Sequence, residues 1–512
     1  MWKPWENESE TQRIRRQKER YRDDKRWQII DERKNDPMGR LHTRHRKKLM
    51  ICGACVFLAM LLLIGRLGYV MIFQAQYYLS RAEELHERER VIKASRGRIL
   101  DTNGVVLADN KTVCTISVIH SQIQDSEAVI QMLTEELGLD EAQVRKRVEK
   151  VSSIERIQTN VSKETGDKIR EYNMAGVKVD EDYKRYYPYE TLASRVLGFT
   201  GSDNQGILGL EAKYDALLSG NSGQILTLTD AWGIELEGAE ESRKEPVAGS
   251  DLYISLDYNI QSYAEQLADR TLEAKGAKRV SIIVMNPQNG ELLAMVNAPE
   301  YNLNTPYELN IEITEEDSGK SKMDLLNNMW RNFCINDTYE PGSVFKMVTA
   351  TAALETGVAH LSDSYTCGGN TKVGDRTIRC HKTTGHGTET FVQGVQNSCN
   401  PVFMEIGQRL GVSNMFKYLK KFCILDKTGI DVPGEAGTIM HKQKNVGEVE
   451  LATMSFGQSF QLSPIRILTT ISAVINGGTM ITPHFGVSIS DTETQRKTNI
   501  RYTSKKNVIS KE

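Results

Sequence analysis

Residues 339–357 read YEPGSVFKMVTATAALETG. A Pro-Gly dipeptide interrupts the preceding chain, and the residues from Ser343 onward are good helix formers that end at Gly357, a typical C-cap residue. Ser343 and Lys346 are three positions apart, so they share one face of the predicted helix. A serine hydroxyl is a useful nucleophile only when a base accepts its proton, and a lysine whose pKa is lowered by burial can do so. The stretch therefore predicts a Ser–Lys pair, although Ser343 as a simple helix N-cap is the competing interpretation.

A second polar element follows in residues 397–403, which read NSCNPVF. Ser398 and Asn400 form a Ser-x-Asn arrangement. The Ser398 hydroxyl could relay a proton to a leaving group, and the Asn400 amide could orient Lys346 and bind a substrate carbonyl. The alternative is that both residues are helix caps.

The chain of 512 residues is too long for one ordinary domain, and its net charge of −2 excludes a globally basic nucleic-acid binder. The charge is unevenly distributed, because residues 1–48 hold 16 Lys and Arg against 9 Asp and Glu. Residues 49–65 contain no charge, and with residues 66–73 they are long enough to cross a bilayer. We interpret residues 49–73 as an uncleaved signal anchor. The positive-inside rule then places residues 1–48 in the cytoplasm and the remainder outside the cell.

The exported part divides near residue 250. Residues 74–93 have a charged, helical pattern that predicts a stalk continuing the span. Thr102-Asn103-Gly104 between RILD and VVLA predicts a β-hairpin, as does Pro287–Gly290 between two apolar runs. A strand over 252–256 and a helix capped by Asp257 are also predicted. Strands beside long helices indicate an α+β fold with an antiparallel sheet.

The order of these motifs resembles that of the class B penicillin-binding proteins, which are membrane-anchored peptidoglycan D,D-transpeptidases. The resemblance covers residues 49–487. It rests on the segments RGRILDTNGVVLA, GILGLEAKYDALLSG, NPQNGELLAMVNAPEYNLN, RNFCINDTYEPGSVFK, NSCNPVFMEIGQRLG, DKTGIDVPGE, SFGQSFQLSPIRI and INGGTMITPH. It implies an elongated α+β pedestal domain over 74–249, and a transpeptidase domain of the penicillin-binding and serine β-lactamase type over 250–512.

The resemblance also implies a chemistry. Ser343 would attack the terminal D-Ala-D-Ala of a peptidoglycan stem peptide, expel D-Ala and form an acyl-enzyme, which an amine of a second stem peptide would resolve into a cross-link. β-Lactams would acylate Ser343 in the same way. Lys346, Ser398 and Asn400 would complete the catalytic set. The expected partners are membrane proteins of the divisome or elongation complex, with no nucleic acid, metal or organic cofactor.

One family motif is out of place. The Lys-Ser/Thr-Gly strand that lies beside the nucleophile should follow Pro483, but the chain contains only Lys427-Thr428-Gly429, upstream of SFGQSFQLSP. In its KTGIDVPGE context, this triplet is expected to be a loop and not the catalytic strand. We therefore expect a C-terminally truncated transpeptidase domain. Losing one oxyanion-hole donor typically costs ~10²–10³ in rate, so the 512 residues are expected to be inactive or barely active.

Cys367 and Cys380 bracket the segment GGNTKVGDRTIR. A disulfide that closes this loop outside the cell is the preferred interpretation, followed by two reduced thiols. A zinc site formed by Cys367, Cys380, His381 and His386 is the third, because its spacing fits no strong template. Cys399 is expected to be packed and not nucleophilic.

Two other functions remain open. The chain could be a non-catalytic, membrane-anchored scaffold of the cell-wall synthesis machinery. It could also be a D,D-carboxypeptidase or a β-lactam sensor that uses the same acylation chemistry.

Overall fold

The structure is a computed structural model, and it describes residues 10–34, 37–75, 77, 87–152, 154–228, 242–310, 317 and 319–511. The chain forms two compact units, residues 1–87 and 88–512. The first unit contains the helices α1 (Glu10–Lys34) and α2 (Pro37–Ile72). Within α2, residues Arg46–Ile72 are long and apolar enough to cross a membrane, which agrees with the predicted anchor.

The predicted helical stalk over 74–93 is wrong at its C-terminal end, whereas Ala75 and Tyr77 at its start are helical. Glu87–Ile92 form a strand, β1, and residues 78–86 lie outside the described part of the chain. β1 is the edge of a three-stranded sheet with β6 (Gly223–Leu228) and β7 (Ser242–Lys244). Pairing with a strand that lies far along the chain therefore outweighs the local helical preference of a Glu- and Arg-rich segment.

The second unit is a mixture of helices and strands, as predicted. Its first part adds the strands β2 (Ile99–Leu100), β3 (Val106–Val118), β4 (Glu155–Ser162) and β5 (Val177–Tyr186). The helices of this part are α3 (Ser126–Leu137), α4 (Glu141–Val148), α5 (Lys163–Glu171), α6 (Ser194–Leu197), α7 (Gly209–Lys213) and α8 (Asp215–Leu218).

The rest of the second unit carries the predicted site. Its strands are β8 (Asp251–Ile254), β9 (Val280–Met285), β10 (Leu292–Ala298), β11 (Ser364–Cys367), β12 (Asn370–Val373), β13 (Arg376–Arg379), β14 (Gly387–Thr390), β15 (Met480–Ile481), β16 (Gly486–Ser490), β17 (Lys497–Asn499) and β18 (Ser504–Lys505). Its helices are α9 (Tyr258–Lys275), α10 (Lys322–Trp330), α11 (Phe333–Asn336), α12 (Lys346–Thr356), α13 (Phe391–Gln396), α14 (Asn400–Lys421), α15 (Glu448–Met454) and α16 (Pro464–Ile475).

One seven-stranded sheet contains strands from both parts. Its order is β17-β16-β8-β2-β3-β4, and β5 also pairs with β3. β8 is parallel to β2, with Leu252 opposite Ile99, and antiparallel to β16, with Leu252 opposite Ile489. A sheet that continues through residues 99, 252 and 489 therefore ties the beginning, middle and end of the unit together.

Both predicted hairpins are confirmed. β2 and β3 pair antiparallel around the Thr-Asn-Gly turn, where the Asp101 carboxylate accepts hydrogen bonds from the backbone N–H groups of Asn103 (2.8 Å) and Val105 (2.7 Å). β9 and β10 pair antiparallel around residues 286–291. The predicted helix cap is also confirmed, because the Asp257 carboxylate accepts from the N–H groups of Asn259 (2.9 Å) and Ile260 (3.1 Å).

A buried group of charges joins segments that are far apart in the sequence. The Glu211 carboxylate is inaccessible to solvent and accepts from Arg96 Nε at 2.6 Å and from Arg185 Nε at 2.6 Å. Arg96 also donates to Asp215 at 2.7 Å. Charges that have lost their water must be paired, so this group fixes the RGR segment at residue 96 against α7 and α8.

An apolar core lies beneath the predicted site. Phe345, at the start of α12, is fully buried and packs edge-to-face on Phe460, with 4.8 Å between ring centroids. The same cluster contains Leu419 of α14, Met454 of α15 and Ile467 of α16. Because α12 and α14 share this core, their first residues are held at fixed positions relative to each other.

Candidate active site

The turn before α12 presents Ser343. Gly342 has φ 58°, and its N–H donates to the carbonyl of Gly457 at 2.9 Å. Gly342–Phe345 form a single 3₁₀ turn, and the α-helix begins at Lys346 and ends at Gly357 in the left-handed conformation. The predicted end of the helix is confirmed. Its start lies three residues later than predicted, and Ser343 makes no N-cap hydrogen bond.

Lys346 is the centre of the site. Its side chain is 3% exposed, and Nζ lies 3.3 Å from Ser343 Oγ. Nζ donates to the Ser398 carbonyl at 2.6 Å, to Ser398 Oγ at 3.0 Å and to Asn400 Oδ1 at 2.7 Å. The structure thus brings together all four of the residues predicted from the sequence.

Burial changes the acid–base behaviour of this lysine. Desolvation lowers the pKa of Lys346 to about 8, although the nearby thiols of Cys380 and Cys399 act in the opposite direction. A lysine with such a pKa is partly neutral near physiological pH, and a neutral amine can accept a proton from the Ser343 hydroxyl. The arrangement can therefore activate a serine nucleophile without a histidine.

The Ser-x-Asn element is built by a strained turn between α13 and α14. Ser398 has φ 48°, a left-handed conformation that costs a non-glycine residue roughly 1–2 kcal/mol. This conformation directs both the carbonyl and the hydroxyl of Ser398 to Lys346. Asn400 is the first residue of α14, and its Nδ2 donates to the carbonyl of Arg379 at 3.2 Å. Cys399, and not Ser398 or Asn400, occupies the N-cap position.

An apolar groove of about 320 Å³ lies beside Ser343. It is lined by Ser281, Ile283, Val344, Pro464, Ile467, Leu468 and Ile471. Val344 is 50% exposed at its edge. Within the described part of the chain, β9 pairs only with β10, so the other edge of β9 has no strand partner next to the groove.

Lys427-Thr428-Gly429 does not form a strand. The backbone N–H groups of Thr428 and Gly429 donate to the Glu435 carboxylate at 2.6 and 3.2 Å, and the segment is a loop. The expectation that this triplet is a loop feature is confirmed. β17, which contains Lys497-Thr498-Asn499, pairs with β16 in the seven-stranded sheet and not with β9.

The cysteines close to the site correct two expectations. Cys367 and Cys380 are both free thiols, so the preferred disulfide is not formed. Four potential metal-binding side chains converge instead, with ligand atoms all within 4.8 Å of one another, and we call them the thiol–imidazole cluster: Cys367, Cys380, His386 and Cys399. His381, which the sequence suggested as a ligand, is exposed and is not a member.

Cys399 is the member of the cluster that the sequence did not suggest as a potential ligand. It is fully buried, as expected, but it faces residues from a different loop. Its position inside the Ser-x-Asn element, one residue from Ser398 and one from Asn400, was the only available signal. The role of the Arg379 carbonyl as the partner of Asn400 had no signal in the sequence.

Two domain families match the chain. Residues 280–512 match the penicillin binding protein transpeptidase domain, and residues 91–254 match the penicillin-binding protein dimerisation domain. Stage V sporulation protein D of Bacillus subtilis is 36% identical over 472 residues, which cover 91% of this chain and 71% of that protein. Peptidoglycan D,D-transpeptidase MrdA of Acinetobacter baumannii is 27% identical over 86% of this chain and 69% of its own length.

Solved structures agree with these relatives. Penicillin-binding protein PBP2 of Helicobacter pylori, in a complex with MreC, has a TM-score of 0.64 and 26% identity, with 81% of each chain covered. The two matched domains, the similarity to the sporulation protein and the Ser–Lys–Ser–Asn geometry all support the same family assignment. The chain belongs to the class B penicillin-binding proteins.

Proposed function

We propose that this protein is a serine-type peptidoglycan D,D-transpeptidase in which Ser343 is the nucleophile and Lys346 its general base. The observation that carries the proposal is the position of Lys346 Nζ, within hydrogen-bonding distance of Ser343, Ser398 and Asn400. The relatives named as peptidoglycan D,D-transpeptidases support the reaction class.

The chemistry follows from these contacts. Neutral Lys346 accepts the Ser343 proton while Oγ attacks the carbonyl of a terminal D-Ala-D-Ala, giving a tetrahedral intermediate. The C–N bond then breaks, and the proton passes through the Ser398 hydroxyl to the departing D-Ala amine. An amine of a second stem peptide attacks the resulting ester and releases Ser343. Asn400 holds Lys346 and is available to bind the substrate peptide. A β-lactam opens its ring on Ser343 in the same way.

The membrane arrangement is part of the proposal. The Arg46–Ile72 helix is the anchor, the basic N-terminal tail is cytoplasmic and the catalytic residues lie outside the cell. The pedestal extends over 74–249 and the transpeptidase domain over 250–512. Because the similar PBP2 of Helicobacter pylori is solved in a complex with MreC, we place membrane proteins of the divisome or elongation complex among the partners.

We further propose that residues 1–512 acylate slowly. No Lys-Ser/Thr-Gly follows His484 in these residues, and the free edge of β9 and the apolar groove lie where a strand beside Ser343 would pack. Without the oxyanion-hole N–H of such a strand, the rate should be lower by ~10²–10³. The same edge exposes unpaired backbone groups to solvent.

Labelling of the full chain in detergent with a fluorescent penicillin tests the proposal, with Ser343→Ala as the control. We expect covalent, Ser343-dependent label that accumulates slowly. A chain extended through a downstream Lys-Ser/Thr-Gly should label at least ~100-fold faster. Fast labelling of residues 1–512 would refute the slow-acylation proposal. A folded, extended chain without label would refute the enzyme and favour the scaffold function.

The fate of the acyl-enzyme distinguishes a D,D-carboxypeptidase, which transfers the acyl group to water, from a transpeptidase, which transfers it to an amine. A D,D-carboxypeptidase would release D-Ala from a stem peptide without an added amine, whereas a transpeptidase should form a cross-linked product only when the amine acceptor is present. If D-Ala is released at the same rate with and without the amine acceptor, the proposed transfer to an amine is contradicted.

A further inference from the structure

The thiol–imidazole cluster brings four side chains from four separate segments to one point. Cys367 ends β11, Cys380 follows β13, His386 precedes β14 and Cys399 occupies the N-cap position of α14. The three cysteines are 0–2% exposed, and the His386 side chain is 7% exposed. A convergence of this kind has no explanation in the acylation chemistry, because none of these four groups contacts Ser343 or is needed as an acid or base.

The composition of the cluster argues against a disulfide. Three thiols cannot all pair with one another, and a disulfide would leave one thiol and the imidazole buried beside it. All the described cysteines are free thiols. Three cysteine sulfurs and one imidazole nitrogen are, in contrast, a complete ligand set for a structural zinc ion.

The distances suit a tetrahedral site. Bond lengths of ~2.3 Å for Zn–S and ~2.0–2.1 Å for Zn–N at tetrahedral angles put neighbouring ligand atoms ~3.6–3.8 Å apart. Cys380 Sγ lies 3.7 Å from His386 Nδ1 and 3.8 Å from His381 Nδ1, but His386, and not His381, belongs to the group whose ligand atoms all converge. Every pair of ligand atoms lies within 4.8 Å, so small side-chain adjustments bring all four to bonding distance of one ion.

The surroundings of the cluster contain a further unsatisfied group. Glu389 is 3% exposed, and its Oε1 has no hydrogen-bond partner, although Oε2 accepts from Asn397 Nδ2 at 2.9 Å. Glu389 Oε1 lies 3.9 Å from His386 Nδ1. Glu389 faces the ring nitrogen that also lies 3.7 Å from Cys380 Sγ, so its negative charge favours a cation bound among these groups.

We propose a tetrahedral Cys3His zinc site formed by Cys367, Cys380, His386 and Cys399. On binding Zn²⁺ the three thiols lose their protons to solvent, and the imidazole binds as the neutral ring. The ion joins the β11–β14 segment to the first turn of α14 and adds to the Asn400–Arg379 hydrogen bond and the apolar contacts that already link them.

The zinc site also bears on the catalytic geometry, and this part rests on the proposed function. Cys380 follows Arg379, whose carbonyl accepts from Asn400, and Cys399 lies between Ser398 and Asn400. The ion therefore holds both sides of the Asn400–Arg379 hydrogen bond and keeps the strained Ser398 turn in place. The ligands are positioning residues, since they do not touch the reacting atoms.

The experiment begins with the full chain, purified in detergent without added metal or chelator. Mass-spectrometric elemental analysis should find one zinc per chain, and zinc X-ray absorption should show a first shell of three sulfurs and one nitrogen. Cobalt substitution should give thiolate-to-cobalt charge-transfer absorption. These measurements need no variant, so they hold even if a variant fails to fold. A chain that contains no zinc and binds none after chelation and re-addition would overturn the site, as would a disulfide between any two of its cysteines.

Matched variants identify the ligands. Cys380→Ser and Cys399→Ser should lose zinc, whereas Cys423→Ser, which lies outside the cluster, should keep it. His386→Ala should lose zinc and the neighbouring His381→Ala should retain it. Zinc loss in His381→Ala with retention in His386→Ala would refute the proposed ligand set in favour of the spacing-based one.

Penicillin labelling then tests the positioning role separately. Chelation should slow Ser343 labelling at least tenfold, and Zn²⁺ but not Mg²⁺ should restore it. Labelling that is unchanged after complete zinc removal would refute the positioning role while the metal site stands. A zinc-loaded chain that never labels, even when extended, would refute the proposed function and leave the zinc result intact.

Discussion

The pH dependence of Ser343 acylation is the sharpest consequence of the site. Lys346 can accept the serine proton only when its amine is neutral, and burial lowers its pKa to about 8 from an ordinary value of 10.5. The rate of acylation should therefore rise with pH as the amine loses its proton, and level off once most chains carry neutral Lys346.

The magnitude follows from the titration. With a pKa of about 8, about one amine in eleven is neutral at pH 7 and about ten in eleven at pH 9, so the rate should increase about tenfold and then flatten. A solvent-exposed lysine of ordinary pKa would instead give about a 100-fold increase over the same interval, with no plateau. The ratio and the plateau together distinguish a buried base from an exposed one.

The assay is the initial rate of fluorescent-penicillin labelling of the full chain between pH 6 and 10, read from gels. Ser343→Ala supplies the background at each pH, and a parallel sample without protein corrects for alkaline opening of the β-lactam ring. Slow absolute labelling does not affect the ratio. A rate that is flat, falls above pH 7, or still climbs 100-fold without a plateau would refute Lys346 as the buried general base.

Three further variants probe the same framework. Glu211→Gln leaves the buried Arg185 without its anion and Arg96 with Asp215 alone, so it should lower the free energy of unfolding by ~3–5 kcal/mol in urea titrations. Glu127→Gln, in an exposed ion pair, should leave that free energy almost unchanged, and equal losses for the two variants would contradict this reasoning. Gly457→Ala places a Cβ 2.0 Å from the Gly342 carbonyl oxygen, which should displace the turn that carries Ser343 and slow labelling ~100-fold. In the control Gly357→Ala the new Cβ has no atom within 4 Å, so labelling should be normal, and similar labelling rates for the two variants would count against the turn geometry. Asn400→Ala removes an acceptor from the charged form of Lys346, so the midpoint of the pH–rate profile should move below 8, and an unchanged or higher midpoint would exclude that contact.

Local signals in the sequence identified much of the fold and the site. The Thr102-Asn103-Gly104 turn, the Asp257 cap and the Gly357 helix end each depend on interactions within a few residues, so the printed sequence contains their causes. Ser343 and Lys346 were predictable for the same reason, because helical spacing alone places them one turn apart.

The errors involve interactions between distant residues. Glu87–Ile92 form a strand because they pair with β6. Nothing in the Glu- and Arg-rich segment itself predicts this pairing. The cluster includes Cys399 and omits His381 because of how the β11–β14 segment folds against α14. Adjacent cysteines and histidines in the sequence therefore suggested a set of side chains that differs from the one that converges in the structure.

The seven-stranded sheet limits how this protein can be recombined with its relatives. A crossover at residue 250 would join one protein's β2–β3 hairpin to another protein's β8 and β16. Leu252 of one parent would then have to pair in register with Ile99 of the other as well as with its own Ile489, although the two parental sequences have diverged independently. Chimeras whose junctions keep β2, β8 and β16 from a single parent should be the ones that are expressed and folded. The unit that can be exchanged in this architecture is a set of strands far apart in the sequence, and not a continuous half of the chain.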